Sequence, residues 1–221
     1  MQQALLARGA RNAIISGMSD APVIHIIDDD DSMRSSIDSL LRSVALTTRA
    51  HSSVDAFLKS PRPDAPGCLI LDVRLPGVSG LDFQAQLDQF GIHLPVILMS
   101  GYGDVPMSVQ GMKAGAVDFL VKPFRQQAML DAVTTALARD RARRALVAKE
   151  ASLREKYASL SPREREVMQL VAAGKMNKQV AGNLGLSEIT VKIHRGSAMR
   201  KMGARTLADL VRMAEALGLP S

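Results

Sequence analysis

The stretch Cys68-Leu-Ile-Leu-Asp72-Val-Arg-Leu-Pro76-Gly77 decides the fold of the first half of the chain. A short apolar run leads directly into one carboxylate, and a Pro-Gly pair follows. Such runs, closed by turn residues, are typical of strands buried on both faces of a sheet. The pattern therefore predicts a central strand that ends at Asp72. A lone carboxylate at such a position often only caps a turn. Whether Asp72 has a functional role therefore depends on which residues follow the other strands.

The other predicted strands also end in polar side chains: Val23–Ile27 before Asp28 and Asp29, residues 95–99 before Ser100, and Asp118–Val121 before Lys122. A weaker strand is predicted at residues 46–50, and helical patterns separate the strands. Five strands alternating with five helices predict an α/β fold with a doubly wound parallel sheet. In such sheets, ligand-binding and active sites lie beyond the carboxyl ends of the strands. We therefore expect three carboxylates, one hydroxyl and one ammonium to converge.

Phosphoryl chemistry explains this combination better than separate structural roles do. Consecutive aspartates often cap the next helix, and Asp30 or Asp31 is expected to do so here. Clustered carboxylates repel one another, and Mg²⁺ prefers such oxygen ligands. An aspartate beside the ion can attack a phosphoryl group, while the ion and a lysine offset its charge. Ser100 would then bond the new phosphoryl group, which predicts a two-state switch.

Composition sets limits on the class of protein. The 221 residues suffice for two domains, and a hydrophobic content of 47% supports real cores. The single cysteine, Cys68, is predicted to be a buried, inert thiol. Because the chain has one cysteine, an intrachain disulfide is excluded, which fits a cytoplasmic location. No apolar run approaches the roughly 20 residues that span a bilayer, so no membrane association is expected. Residues 1–20 are predicted to be a disordered tail or a mis-called start, with Met18 as the alternative to Met1.

Charge is distributed unevenly along the chain. Residues 1–145 carry 15 basic and 15 acidic side chains, whereas residues 146–221 carry 13 and 7. The whole excess of positive charge therefore lies in the last third of the chain. This distribution indicates a neutral domain joined to a basic domain that binds a polyanion. We divide the chain into a domain at 21–138, a helical linker at 139–157 and a second domain at 158–221. The charge run of the linker is expected to be a solvated face, with contact to a DNA backbone as the less favoured alternative.

The last third is predicted to be an all-α unit of four helices. Ser161-Pro-Arg-Glu164 has the pattern of a capping box with proline in the first turn. Leu184-Gly-Leu-Ser187 joins the second and third helices into a helix-turn-helix. A protein-docking bundle has the same topology. Charge favours DNA, because basic residues cluster on or beside the two middle helices: Lys178, Lys192, His194, Arg195, Arg200, Lys201 and Arg205.

From Val23 to Ala138 the chain resembles the receiver domain of two-component response regulators, a flavodoxin-like fold. The resemblance rests on Asp28-Asp29, on Leu71-Asp72-Val-Arg-Leu-Pro-Gly77, on Ser100-Gly-Tyr-Gly-Asp104 and on Asp118-Phe-Leu-Val-Lys122-Pro-Phe124. It implies that Asp72 accepts the phosphoryl group and that Lys122 pairs with it. It also implies that Mg²⁺ is held by Asp29 directly, by Asp28 through water, by Asp72 and by the Arg74 backbone carbonyl. Ser100 and Phe119 match the switch positions.

The receiver segments Ser100-Gly-Tyr-Gly-Asp-Val-Pro-Met107 and Gly111-Met-Lys-Ala-Gly-Ala-Val-Asp-Phe119 resemble the FixJ branch of the family. Residues 160–213 resemble the LuxR/FixJ/NarL-type helix-turn-helix. The resemblance rests on Leu160-Ser-Pro-Arg-Glu-Arg-Glu-Val167, on Leu184-Gly-Leu-Ser187 and on Thr190-Val-Lys-Ile-His-Arg195. It implies that Thr190, Lys192, Ile193 and Arg195 contact DNA and that Lys178 contacts a phosphate. Gly196 stands where some relatives carry a basic base-reading residue.

Together these resemblances predict a regulator that a histidine kinase phosphorylates and that then binds promoter DNA and acts on RNA polymerase. They further imply dimerisation through the region from Val105 to Val121. A turnover phosphohydrolase is disfavoured, because Arg74 stands where a second acid/base aspartate would be needed. Two alternatives stay open: a regulator that works without phosphorylation, and a phosphoryl sink or docking adaptor that binds no specific DNA.

Overall fold

A computed structural model of the protein describes residues 21–101 and 105–219. The chain divides into two compact units after Arg144. The alternative start at Met18 and the predicted tail at residues 1–20 lie outside the described residues. Within the described ranges, none of the helices combines the length and the apolar character that a membrane span requires.

Five parallel strands form the sheet of the N-terminal unit: β1 (Val23–Ile27), β2 (Thr47–His51), β3 (Gly67–Asp72), β4 (Val96–Ser100) and β5 (Asp118–Val121). Their order across the sheet is β2-β1-β3-β4-β5. The winding reverses between β1 and β3, so the carboxyl ends of these two strands flank a crevice. The predicted doubly wound parallel sheet is thus confirmed.

Helices alternate with the strands: α1 (Asp31–Ser43), α2 (Val54–Lys59), α3 (Gly80–Gln86), α4 (Val105–Lys113) and α5 (Gln126–Ala158). Asp30 caps α1, because its carboxylate accepts from the backbone N–H groups of Ser32 and Met33. Ser79 precedes α3, and Asp82 follows three residues later as in a capping box, but the Ser79 side chain makes no capping hydrogen bond.

The alternating side chains of β3 fill two cores. Cys68 and Ile70 join the cluster under α1 and α5, whereas Leu69 and Leu71 join the cluster on the opposite face. All four are fully buried, which explains why this strand lacks polar alternation. Burial, together with the negative charge of Asp140, raises the pKa of the Cys68 thiol to about 12, as expected for an inert cysteine.

The C-terminal unit contains α6 (Pro162–Ala172), α7 (Asn177–Leu184), α8 (Glu188–Met202) and α9 (Leu207–Ala216). The capping box of Ser161 and Glu164 is present, and the side chains of Ser187 and Thr206 cap α8 and α9. Apolar residues from all four helices form one core: Val167, Met168, Val171, Val180, Val191, Met202 and Leu210. Gly185 ends α7 in the left-handed conformation, and α8 begins three residues later.

The linker does not form the fully solvated charged face that the sequence suggested. The carboxylate of Asp140 is fully buried and accepts hydrogen bonds from Arg143 and Arg144. Arg144 also pairs with Asp64 at 2.6 Å. Most residues from 145 to 152 on α5 are exposed, in agreement with the expectation for that part.

Candidate functional sites

An acidic pocket lies at the carboxyl edge of the sheet. Asp28 follows β1 and is fully buried, Asp72 ends β3 and is 6% exposed, and Asp29 is exposed at the rim. One carboxylate oxygen from each of the three lies within 4.8 Å of the others. The structure therefore brings together the three aspartates that the strand ends predicted.

Lys122 joins two of these carboxylates. Its ammonium nitrogen donates to Asp28 Oδ2 at 2.6 Å and to Asp72 Oδ2 at 2.5 Å. The residue follows β5, and its backbone N–H donates to the Ser100 carbonyl oxygen at 2.8 Å, which extends the ladder between β4 and β5. This backbone pairing thus fixes the position of Lys122 along the carboxyl edge of the sheet, from which its side chain enters the pocket.

Burial and charge act in opposite directions on these groups. Burial raises the pKa of the Asp28 carboxyl above its ordinary value, although the hydrogen bond from Lys122 opposes this effect. For Lys122, burial favours the neutral amine, but the bonds to Asp28 and Asp72 outweigh it, so the pKa of the ammonium is raised. The lysine therefore stays charged at neutral pH and neutralises part of the acidic cluster.

Backbone groups orient the acidic side chains. The N–H of Arg74 donates to Asp72 Oδ1 at 2.9 Å, and the N–H of Asp30 donates to Asp28 Oδ1 at 2.9 Å. The Arg34 guanidinium donates to the backbone oxygen of Asp28 at 2.5 Å. Sequence reasoning did not single out Arg34, since a basic residue in the first turns of a helix ordinarily faces solvent.

The two remaining predicted positions lie on neighbouring strands. Ser100 ends β4 and is fully buried. Phe119, in β5, is half-buried and packs against the apolar cluster that contains Leu98 and Leu81. Ser100 therefore lies at the carboxyl edge of the sheet, next to the strand end that carries Lys122.

The helix-turn-helix presents most of its predicted contact residues to solvent. Lys178, Lys192 and Ile193 are exposed, with Ile193 at 64%. Thr190 is half-buried, and its hydroxyl lies 2.8 Å from that of Ser187. Arg195 is also half-buried, and its guanidinium donates to Asn177 Oδ1 at 3.2 Å, which connects α8 to the start of α7.

A buried carboxylate holds α8 against α6. Glu164 accepts from Ser197 Oγ at 2.6 Å and from Lys201 Nζ at 2.7 Å, while it closes its own capping box. These bonds lower the pKa of the Glu164 carboxyl to about 2, with the Lys201 bond as the largest cause. The capping pattern pointed to Glu164, but no sequence signal indicated its partners on α8.

Two family descriptions match the chain. "Response regulator receiver domain" covers residues 24–134, and "Bacterial regulatory proteins, luxR family" covers residues 158–214. The chain belongs to the response regulators of two-component systems. Within that class it is a transcription regulator with a LuxR-type DNA-binding domain, and not a classical enzyme.

Individual relatives agree over almost the whole chain. Nodulation protein W of Bradyrhizobium diazoefficiens is 55% identical over 201 residues, which cover 91% of this chain and 88% of its own length. Transcriptional regulatory protein FixJ of Azorhizobium caulinodans is 42% identical over 202 residues, which cover 91% and 96%. The solved structure of response regulator StyR matches with a TM-score of 0.79 at 42% identity and covers 88% of this chain and 98% of its own. The predicted family, including its FixJ-like branch, is confirmed.

Proposed function

We propose that Asp72 accepts a phosphoryl group from a sensor histidine kinase. An oxygen of its carboxylate attacks phosphorus, the bond from phosphorus to the kinase imidazole breaks, and the electron pair leaves with the ring nitrogen. The observation that carries this proposal is the double hydrogen bond from Lys122 to Asp72 and Asp28. A fixed cation beside the attacking carboxylate stabilises the charge on the transferred oxygens.

The carboxylates of Asp28, Asp29 and Asp72 suit a hard divalent cation, because three oxygen ligands can reach one point. We assign them to Mg²⁺, with the backbone carbonyl of Arg74 as a further ligand. When bound, the ion neutralises negative charge and orients the incoming phosphoryl oxygens. Asp28 is the buried member and Asp29 the exposed one, so the two aspartates are not equivalent.

Ser100 and Phe119 complete the proposed switch. The Ser100 hydroxyl donates to a phosphoryl oxygen on Asp72, which draws the segment after β4 toward the pocket. Phe119, half-buried on the neighbouring strand, then turns inward into the space that this movement leaves. Any hydrolysis of the acyl phosphate is slow self-dephosphorylation that times the signal, since Arg74 stands where an acid/base aspartate would act.

The switch is proposed to control dimerisation and DNA binding. Exposed apolar side chains on α4 and β5, Val109, Met112 and Val121, are 44–48% exposed and provide a surface for a second copy between Val105 and Val121. The dimer then binds promoter DNA through Lys178, Thr190, Lys192, Ile193 and Arg195 and acts on RNA polymerase. We assign the protein to the cytoplasm, where its kinase presents the phosphoryl group.

Fluorescence anisotropy tests this function directly. Binding to duplexes from candidate promoters is measured with and without a small acyl phosphate donor and Mg²⁺, for the wild type, Asp72→Asn and the matched control Asp64→Asn. We expect the donor to tighten binding by wild type and by the Asp64 variant and to leave the Asp72 variant unchanged.

Other outcomes would favour the alternatives. Equal binding by all three proteins under every condition would indicate a regulator that works without phosphorylation. Phosphorylation of Asp72 without any salt-sensitive DNA binding would indicate a phosphoryl sink or adaptor, because contacts to DNA phosphates must weaken steeply with salt.

A further inference from the structure

Two isoleucines stand out on the exposed side of α8. Ile189 is 72% exposed and Ile193 is 64% exposed, which makes them two of the three most exposed large apolar side chains in the described part of the chain. Val191, another apolar residue of α8, is fully buried, whereas neither isoleucine belongs to the core of the C-terminal unit.

The two side chains form a short ridge. Residues four apart lie on the same face of a helix, with Cβ atoms about 5–6 Å apart. Gly196 continues the same stripe seven residues after Ile189. A Cβ atom at Gly196 would meet only Arg200 Nη1, at 3.9 Å, so packing does not require glycine there. The stripe therefore consists of two branched apolar side chains followed by a position without a side chain, where another molecule can approach the helix backbone.

Charge around this ridge favours one kind of partner. Lys192 lies next to Ile193 and is exposed, and Lys178 on α7 and Arg200 later in α8 are exposed as well. Ile189 also lies in the first turn of α8, at the positive end of the helix dipole. The exposed Glu188 adjoins Ile189, but it is the single acidic residue of α7 and α8, which together carry five lysine and arginine residues. A ridge on such a basic pair of helices suits a polyanion that offers apolar groups in a groove. Duplex DNA meets that description through the 5-methyl groups of thymine in its major groove.

We propose that Ile189 and Ile193 together determine sequence specificity by packing against thymine methyl groups. This inference rests on the proposed DNA-binding function and names the bases that α8 reads. The two residues are separated by about 6 Å along the helix, and bases on one strand are about 3.4 Å apart. The two thymines therefore lie within about two base steps of each other. Lys178 and Lys192 contribute affinity through phosphates, which carries no sequence information.

The test replaces thymine by uracil, because this change removes the methyl group and keeps base pairing. A duplex pool with a randomised core is enriched on the full chain, in the presence of an acyl phosphate donor and Mg²⁺. The enriched duplex is then synthesised again with deoxyuridine at each thymidine in turn. Dissociation constants are measured for the wild type, Ile189→Ala, Ile193→Ala and the matched control Lys178→Ala.

We expect two neighbouring thymines to be sensitive, each losing about fourfold in affinity, as the transfer free energy of one buried methyl-sized group implies. Ile189→Ala should abolish the effect at one of these positions and Ile193→Ala at the other. Lys178→Ala should weaken binding to every duplex and keep the full difference between thymine and uracil. Both isoleucines are exposed, so their alanine variants should fold normally, which circular dichroism checks.

Two results would overturn the inference. If uracil costs no affinity, or costs the same in the isoleucine variants as in the wild type, the ridge does not read methyl groups, although sequence-specific binding would still support the proposed function. If no duplex is enriched and binding does not respond to Lys178→Ala, the proposed DNA-binding function fails together with the inference.

Discussion

Asp140 and Gly67 are joined by a buried hydrogen bond across 73 residues of chain. The Asp140 carboxylate, in α5, accepts from the backbone N–H of Gly67 at the start of β3, at 3.0 Å. A side chain at position 67 is excluded, because its Cβ would lie 2.4 Å from the Val23 carbonyl oxygen. The bond therefore ties the helix that leaves the N-terminal unit to the central strand of its sheet.

Replacing Asp140 by alanine should destabilise the N-terminal unit by about 1–3 kcal/mol, since it leaves the buried N–H of Gly67 without its acceptor, while the two partly exposed arginines can turn to solvent and Arg144 keeps Asp64. Native-state hydrogen exchange of β3 amides in the full chain measures this loss. Asp64→Ala is the matched control, because Asp64 is 83% exposed and pairs only with Arg144 among the ion pairs described. It should cost no more than about 0.5 kcal/mol. Equal losses in the two variants would refute the role of Asp140.

Lys122→Gln should tighten Mg²⁺ binding about fivefold while it slows phosphorylation by an acyl phosphate. The ammonium occupies oxygens of Asp28 and Asp72, and even in water two unit charges about 4 Å apart interact by about 1 kcal/mol. Isothermal titration calorimetry gives the affinity for the ion. Lys113→Gln, on exposed α4, should change neither quantity. Weaker or unchanged Mg²⁺ binding by the Lys122 variant would contradict the proposed metal site.

The stability of the N-terminal unit should fall as pH drops below about 6.5. His25 and His51 are buried with their ring nitrogens 3.3 Å apart, and burial is the main cause that lowers both pKa values, that of His25 to about 4. Unfolded imidazoles bind a proton near pH 6.5. Between these values the unfolded state therefore holds more protons, and stability rises with pH.

We expect the free energy of unfolding to fall by about 1–2 kcal/mol between pH 7 and pH 5. Urea unfolding followed by circular dichroism measures this change. His25→Phe should reduce this dependence on pH. The control His93→Gln should keep it, since His93 is 55% exposed and lies at the surface beside Asp88. An unchanged pH profile in His25→Phe would contradict the assignment.

Glu164→Gln should weaken the attachment of α8 to α6 by about 1–2 kcal/mol, because the ion pair with Lys201 is lost while the bonds to Ser161 and Ser197 can persist. Because the pKa of Glu164 is lowered, the stability that its carboxylate adds to the contact between α6 and α8 is fully present above pH 4.5. This stability disappears as the pH falls toward 2. Hydrogen exchange of α6 and α8 peptides reports the change. Glu166→Gln, at an exposed pair with Arg163, serves as the control and should leave exchange unaltered.

Much of the fold and of the acidic pocket could be predicted from local signals. Short apolar runs with turn residues mark the strands, and the polar residue after each run marks its carboxyl end. The parallel topology then brings Asp28, Asp72 and Lys122 together without further information. The caps at Asp30, Ser161, Ser187 and Thr206 were predictable for the same reason, since a cap is a local hydrogen bond.

Features that depend on packing between distant segments could not be predicted in this way. Asp140 lies in a run of charged residues that resembles a solvated face, and its burial depends on a backbone N–H far away in sequence. Ile189 has the same residue type and spacing as a core position, and only the packing of α8 against its neighbours shows that it faces solvent. Ser79 has the pattern of a cap, but its side chain makes no capping hydrogen bond in the fold.

The residues of the acidic pocket are far apart in sequence, and Lys122 is the last of them to be synthesised. Lys122 reaches back 94 residues to Asp28 and 50 residues to Asp72, and it directly follows β5, which pairs with β4. Contacts of such long sequence separation form late in folding, because loop closure must come first. A nascent chain that ends before β5 therefore exposes clustered carboxylates without their cation. The cluster of Asp28, Asp72 and Lys122 is therefore complete only after the whole sheet has left the ribosome.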